Sequence, residues 1–188
     1  MKRISLVNAA HELIRDVLQP GDSAIDATVG NGHDTLFLVE QVGPSGRVYG
    51  FDIQQAAIES TLMKTPLTDC LTLFHASHAD MIEKIPAELH AKISAVMFNL
   101  GYLPGGDKSV ITLPDSTLTA LTVAARMLAV NGIITLLAYP GHPGGDLETG
   151  QVKNWCGQLD TKQFEVSAIY STGHKDTAPR LFVIRKLR

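Results

Sequence analysis

The sequence predicts an α/β protein whose core is a doubly wound, mostly parallel β-sheet. Seven short segments rich in Val, Ile, Leu, Phe or Tyr alternate with amphipathic stretches along the chain. Strands separated by helices form parallel sheets, and right-handed crossovers place the helices on both faces. The last two apolar segments are joined only by residues 171–179. This connection is too short for a helical crossover, so we expect the chain to end in an antiparallel hairpin.

The individual elements follow from hydrophobic spacing and from turn residues. The expected strands cover residues 23–27, 47–52, 71–75, 93–98, 133–138, 164–170 and 181–184. The expected helices, whose apolar residues recur at helical spacing, cover residues 5–18, 34–42, 54–64, 116–128 and 147–159. We expect Gly43-Pro44 to end the second helix and Asn131-Gly132 to close the fourth.

Length, composition and charge narrow the class of protein. The 188 residues suit one domain spanning 1–188, and 45% of them are hydrophobic, enough for a sizeable core. A formal net charge of −3 argues against a globally basic nucleic-acid binder but allows a local basic patch. Cys70 and Cys156 have no disulfide or metal-binding pattern. No apolar stretch reaches the roughly 18 residues of a membrane span. We therefore expect a cytoplasmic protein without a metal and without a membrane partner.

A glycine turn, Gly30-Asn31-Gly32, follows the first expected strand. Open α/β sheets bind ligands at this carboxyl edge, and glycine lets the backbone turn sharply and approach a ligand closely. The helix that begins near His33 offers free N–H groups and the positive end of its dipole. Asp26, just ahead of the turn, is positioned to hold an ammonium group. This pattern is typical of a site for a ligand with both a carboxylate and an amine.

A second acid, Asp52, ends the next expected strand, 20 residues after Gly32. A carboxylate at this distance accepts hydrogen bonds from ribose hydroxyls. Thr35 stands where the dinucleotide fingerprint has its third glycine, which together with Asp26 favours S-adenosylmethionine (SAM) over NAD. Ile53 is expected to pack on the adenine, and Asp80 to reach its amino group. The expected SAM-binding residues are Asp26, Thr28, Gly30, Asn31, Gly32, His33, Asp34, Asp52, Ile53, His78, Asp80 and Asn99.

The end of the fourth expected strand reads Asn99-Leu100-Gly101-Tyr102. It is similar to the Asn/Asp-Pro-Pro-Tyr motif of amino-methyltransferases, with the first and last residues at the same spacing. In such enzymes the Asn oxygen and a backbone carbonyl accept hydrogen bonds from the substrate nitrogen, and the aromatic ring packs on the substrate. An amine must lose a proton before it attacks, and Asp107, His142 or solvent is the candidate acceptor. The candidate catalytic residues are Asn99, Tyr102, Asp107 and His142.

Four blocks of sequence, residues 24–35, 49–54, 98–108 and 141–145, resemble a bacterial family of class I SAM-dependent methyltransferases. These are the YtqB-type proteins, labelled "putative rRNA methylase". The resemblance implies a Rossmann-like class I methyltransferase fold and SAM as the cofactor. It also implies methylation of the amino group of 5-aminomethyl-2-thiouridine at the wobble position of tRNA.

A tRNA anticodon loop as partner requires cationic groups near the site. Residues 171–188 contain five Lys or Arg and one acid, and such a patch would bind phosphates in a salt-dependent way. A flipped base could stack on Tyr102 or Tyr139. The candidate RNA-binding residues are Lys108, Tyr139, Lys175 and Arg180. The oligomeric state stays open, a homodimer included.

Three other functions are compatible with these motifs. A SAM-dependent methyltransferase could act on rRNA or on a small-molecule amine. A non-catalytic RNA-binding module could keep SAM as a structural ligand. A nicotinamide oxidoreductase is the alternative that the missing third glycine disfavours most.

Overall fold

The computed structural model describes residues 5–65, 68–101, 103, 105, 111–171 and 177–188, and it contains a seven-stranded sheet. The strands are β1 (Ser23–Asp26), β2 (Arg47–Asp52), β3 (Leu71–His75), β4 (Ile93–Asn99), β5 (Leu128–Ala138), β6 (Phe164–Tyr170) and β7 (Arg180–Lys186). Their order across the sheet is β3-β2-β1-β4-β5-β7-β6. The seven segments that the sequence predicts as strands are all observed, with ends shifted by at most two residues except that β5 begins five residues earlier than predicted.

The first five strands run parallel, and β7 lies antiparallel to both β5 and β6. The predicted doubly wound sheet with a C-terminal antiparallel hairpin is therefore confirmed. Strand order reverses at β1, which pairs with β2 on one side and with β4 on the other. Adjacent crossovers leave the sheet in opposite directions at such a switch point, and a crevice opens at the carboxyl edge.

Helices cover both faces of the sheet. They are α1 (Leu6–Arg15), α2 (His33–Val42), α3 (Gln55–Lys64), α4 (Met81–Lys84), α5 (Pro114–Met127) and α6 (Gly145–Gln158). Apolar residues of α1 and α2 share one core cluster with Ile133 of β5, whereas α5 and α6 share the other cluster with Ile134. Neighbouring residues of a strand point to opposite faces, so β5 contributes to both cores.

Two features differ from the sequence prediction. Asn131-Gly132 does not close α5, which ends at Met127. The chain pairs with β4 as early as Leu128, and the extra residues before Ile133 form a register shift in which Asn131 adopts a φ of 67°. The four-residue helix α4 was not predicted. Within the described ranges, no helix is both long and apolar enough to cross a membrane.

Candidate active site

A cavity of about 910 Å³ lies at the carboxyl edge of the sheet, where β1, β2, β4 and β5 end. It brings together most of the site residues that the sequence predicts and the structure describes. Those lining it are Thr28, Gly30, Asn31, His33, Asp34, Asp52, Ile53, His78, Asn99, Tyr139 and His142. Its size suits a ligand larger than one amino acid, since typical ligand pockets measure about 300–1,000 Å³.

The glycine turn has the sharply turning backbone that its sequence predicts. Gly30 and Gly32 have φ angles of 52° and 79°, a region that favours glycine. A Cβ on Gly32 would lie 2.6 Å from Oγ1 of Thr61 on α3, so the turn is also closely packed. The ammonium group of Lys64 donates to the carbonyl of Asn31 at 2.7 Å. These contacts fix the start of α2, where Gly32 occupies the N-cap and has no side chain to satisfy the first N–H groups.

Asp52 is held at the end of β2 by two backbone N–H groups. Its Oδ2 accepts from the N–H of Gly30 at 2.9 Å, and its Oδ1 accepts from the N–H of Gln54 at 2.9 Å. Each carboxylate oxygen has two acceptor sites, so both can still accept a hydroxyl from a ligand. Beside it, Ile53 lines the cavity with 54% of its surface exposed. The pair thus offers acceptors and an apolar surface side by side.

Asp26 lies beneath the turn and not among the residues that line the cavity. It is 1% exposed, and it accepts hydrogen bonds from the N–H of Thr28 at 3.1 Å and from Oγ1 of Thr35 at 2.6 Å. Burial, together with the nearby carboxylate of Asp34, raises the pKa of Asp26 to about 7. Asp34 does line the cavity, and its Oδ1 lies 2.6 Å from Nε2 of His11 on α1. Sequence reasoning did not find His11.

Of the two predicted SAM-binding residues in the segment after β3, one lines the cavity and the other does not. His78 is buried and lines the cavity, and its Nδ1 lies 3.0 Å from the carbonyl of Ala27. Because a carbonyl only accepts, Nδ1 carries the proton and donates. Burial lowers the pKa of His78, so its ring is neutral and Nε2 retains a lone pair. Asp80 is exposed and is not among the lining residues.

Asn99 ends β4 on the opposite side of the cavity from Asp52. Its backbone N–H donates to Oγ1 of Thr28 at 2.6 Å, which joins the ends of β1 and β4. Gly101 follows with a φ of 125°, and its N–H donates to Oγ1 of Thr112 at 2.9 Å. Thr112 in turn donates to the buried carboxylate of Glu148 on α6 at 2.8 Å. The strand end is therefore supported by side chains from several segments.

His142 belongs to the loop after β5, and its ring packs between Gly145 of α6 and Gly101, which follows β4. A Cβ on Gly145 would lie 2.8 Å from Nε2 of His142, and one on Gly101 would lie 3.5 Å from the same atom. Nδ1 of His142 lies 3.0 Å from the carbonyl of Pro143, to which it donates. The ring thus reaches the cavity close to the end of β4 because both glycines lack a side chain.

Of the four predicted RNA-binding residues, the structure describes two, and one of these lines the cavity. Tyr139 lines it, and burial raises the pKa of its phenol above the usual value, so the hydroxyl stays protonated at neutral pH. Arg180 follows Pro179, which lines the cavity, and its guanidinium carbon lies 5.8 Å from the ring centroid of Tyr170. Four predicted site residues lie outside the described residues: Tyr102, Asp107, Lys108 and Lys175.

Some cavity residues were missed by sequence reasoning. Val7 of α1, Leu103 and the segment 111–113 line the cavity, and Glu148 supports it from behind. A signal for Glu148 exists, since it precedes the buried Val152 and Cys156 at intervals of four residues and so lies on the apolar face of α6. In the part of the chain that the structure covers, no group of three or more His, Cys, Asp or Glu is placed to hold a metal ion.

The strand order, the glycine turn and the acid that ends β2 define a class I methyltransferase fold. Comparison with known proteins gives the family. The chain belongs to the family described as "Putative rRNA methylase", whose model matches residues 48–185.

Three relatives illustrate the likeness. The chain is 46% identical over 154 residues to a protein of Arabidopsis thaliana named "tRNA (mnm(5)s(2)U34)-methyltransferase, chloroplastic". The aligned region covers 76% of this chain and 56% of that protein. This chain thus spans little more than half the length of that relative. A "putative rRNA-methylase" from Clostridium thermocellum has a TM-score of 0.91 and 38% identity, covering 99% of this chain and 100% of that one. A "putative methyltransferase" from Streptococcus mutans, solved in complex with SAH, has a TM-score of 0.85 and 33% identity, covering 98% of this chain and 99% of that one.

Proposed function

We propose that this chain is a SAM-dependent N-methyltransferase acting on the aminomethyl group of 5-aminomethyl-2-thiouridine at the wobble position of tRNA. One observation carries the proposal: a single cavity connects the glycine turn and Asp52 with Asn99. The glycine turn and Asp52 suit a nucleoside cofactor, and Asn99 suits an amine. The 46% identity to a protein named as a tRNA (mnm(5)s(2)U34)-methyltransferase supports the choice of substrate.

The described residues fit SAM by the chemistry of their donors and acceptors. Asp52 would accept from the ribose hydroxyls, and Ile53 would cover one face of the adenine. The N–H groups at the start of α2 would bind the methionine carboxylate, because a helix N-terminus favours an anion. Asp34 would attract the ammonium group, while Asp26 supports the turn from below. The relative from Streptococcus mutans was solved with SAH, which supports SAM as the cofactor.

When bound, SAM supplies an electrophilic methyl group. The side-chain oxygen of Asn99 and a neighbouring backbone carbonyl would accept hydrogen bonds from the substrate amine and orient its lone pair. An alkyl amine with a pKa of about 10.4 is mostly protonated at neutral pH, so it must first lose a proton. His142 lies at the cavity close to the end of β4 and is the described candidate for receiving it; Asp107 and solvent are the others.

The RNA would approach from the rim of the cavity. Tyr139 would stack on the target base, and Arg180, Lys108 and Lys175 would bind phosphates of the anticodon loop. We propose the cytoplasm as the compartment, although the Arabidopsis relative is chloroplastic. A homodimer is compatible with this proposal but not required by it.

Methylation of rRNA is the second candidate function, and the description of the family favours it. Both functions use the same cofactor site and differ only in the RNA that reaches Asn99.

One experiment separates the candidates. The purified chain and methyl-labelled SAM are incubated in three parallel reactions. One contains tRNA that carries 5-aminomethyl-2-thiouridine, one contains rRNA, and one contains a small-amine fraction. We expect label in the tRNA, and nucleoside mass spectrometry should identify 5-methylaminomethyl-2-thiouridine. Label only in rRNA, or only in the amine fraction, would refute the tRNA assignment. Binding of SAM without any transfer would indicate a non-catalytic module.

A further inference from the structure

A buried carboxylate on α6 lies outside the residues assigned above to cofactor or substrate. Glu148 is 2% exposed, and each of its two oxygens accepts a hydrogen bond from a threonine hydroxyl. Thr112 donates to Oε2 at 2.8 Å, and Thr117 of α5 donates to Oε1 at 2.7 Å. Burying a carboxylate is costly unless it is hydrogen-bonded, and each oxygen of Glu148 has one hydroxyl partner.

The carboxylate determines which way the hydroxyl of Thr112 points. A threonine hydroxyl has a single proton, and Thr112 donates it to Oε2 of Glu148. The oxygen of Thr112 must then act as the acceptor for its other neighbour, the N–H of Gly101, at 2.9 Å. A directional relay results, running from the Gly101 N–H through Thr112 to Glu148.

The relay fixes a peptide plane beside Asn99. The described residues contain no cis peptide bond, so the Leu100 carbonyl and the Gly101 N–H point in opposite directions across one planar unit. Holding that N–H toward Thr112 directs the carbonyl of Leu100 away from Thr112. A second bond, from the N–H of Thr112 to the carbonyl of Gly101 at 2.9 Å, holds the other side of Gly101. Leu100 itself lines the cavity.

We infer that Glu148, acting through Thr112, is a positioning residue that directs the Leu100 carbonyl to accept a hydrogen bond from the substrate amine beside Asn99. This inference rests on the proposed function. Neither Glu148 nor Thr112 needs to touch the amine. Their effect reaches the reaction through the orientation of one peptide group, and orientation of the nucleophile contributes strongly to such transfers.

Thr117 offers a matched control for Thr112. Both hydroxyls donate to the same carboxylate, yet only Thr112 also accepts from Gly101. Thr112→Val and Thr117→Val each replace one hydroxyl by a methyl group of nearly the same size. A purely structural role for Glu148 predicts similar effects from both, whereas the positioning role predicts different ones.

The test measures kcat at saturating tRNA, the Kd for SAM and the hydrogen exchange of the Gly101 amide. We expect Thr112→Val to lower kcat tenfold or more and to speed exchange at Gly101. Thr117→Val should stay within twofold in kcat, and Thr112→Ser, which keeps the hydroxyl, should restore activity. The Kd for SAM should stay within twofold in all three. Equal losses of kcat in both valine variants, or none in Thr112→Val, would overturn the inference.

Glu148→Leu tests the same relay should Thr112→Val not fold. It removes both acceptor oxygens, so we expect a lower kcat with unchanged SAM affinity. Where both variants fold, their double mutant should be no worse than Thr112→Val alone, because both disrupt one relay; additive losses would contradict it.

Failure of the proposed function gives a different result. If wild-type protein methylates rRNA or a small amine and not tRNA, the tRNA assignment is wrong, and the same kinetic comparison is made with the accepted substrate. If no substrate is methylated, hydrogen exchange of the Gly101 amide still tests the relay. Equal protection of this amide in the wild type and in Thr112→Val would refute the relay.

Discussion

The two ends of the cavity are held together in different ways. At the glycine-turn end, formed by Gly30 and Asp52, a side chain binds backbone N–H groups of the neighbouring turns. At the other end, formed by Asn99 and Gly101 and called the amine end after the proposed substrate, the backbone depends on the hydroxyls of Thr28 and Thr112. The first arrangement follows from where strands end in this fold. The second depends on individual side chains from other segments, so single substitutions should separate cofactor binding from catalysis.

The largest effect is expected from Asp52→Ala. It removes the proposed acceptors for two ribose hydroxyls, and hydrogen bonds to a charged group contribute about 1.5–3 kcal/mol each. We expect the Kd for SAM, measured by titration calorimetry, to rise about 100-fold or more. Asp69→Ala removes an exposed acid that does not line the cavity, and it should leave the Kd unchanged. Equal Kd values for the wild type and Asp52→Ala would contradict the cofactor assignment.

Asn99→Ala should affect the other end of the cavity. The substitution keeps the backbone N–H that donates to Thr28, so the strand end should stay in place. We expect kcat to fall about 10- to 100-fold, because one orienting hydrogen bond in the transition state is lost. The Kd for SAM should change little, and Asn154→Ala, an exposed change on α6, should change neither quantity. Unchanged turnover in Asn99→Ala would remove the proposed amine clamp.

The same contrast explains what could be predicted from the sequence. Strand ends at a parallel sheet edge follow from hydrophobic spacing, and the glycine turn and Asp52 follow from short motifs. These signals are local, so the fold and the glycine-turn end were predictable. The prediction that Asn131-Gly132 closes α5 was wrong because Asn and Gly favour a positive φ both at helix ends and at irregularities in strands.

The support of the amine end was not predictable in the same way. Asn99 could be named from its position at the end of β4, but Thr112 and Glu148 join it only through contacts between segments far apart in the chain. His11 meets Asp34 for the same reason, since α1 packs beside α2. Sequence spacing places Glu148 on a buried face without saying which donors it meets there.

A smaller effect is expected from Ile53→Ala at the glycine-turn end. Ile53 is 54% exposed beside Asp52, and covering it with adenine would bury apolar surface. Losing that contact costs about 1 kcal/mol, so we expect the Kd for SAM to rise about fivefold. Leu62 on α3 is 53% exposed and does not line the cavity, which makes Leu62→Ala the matched control. Equal changes in both variants would argue against adenine at Ile53.

The smallest effect is expected from the buried acid beneath the turn, and it concerns stability. Burial raises the pKa of Asp26 from 3.8 to about 7, so the folded protein holds a proton that the unfolded chain releases near pH 4. Stability from this group is therefore complete below pH 4 and is lost as pH rises toward 7 and slightly above. Between pH 6 and pH 8 the free energy of unfolding should fall about 1 kcal/mol more in the wild type than in Asp26→Asn.

Urea denaturation of both proteins without SAM, at several pH values, measures this difference. Asn has nearly the shape of Asp and does not titrate, so the other ionisable groups contribute equally and cancel in the comparison. The side chain oxygen of Asn can still accept from the hydroxyl of Thr35, which keeps the turn in place. Parallel curves would show that Asp26 is already ionised at pH 6. Its charge would then be balanced by the N–H of Thr28 and the hydroxyl of Thr35, which donate to it beneath the glycine turn.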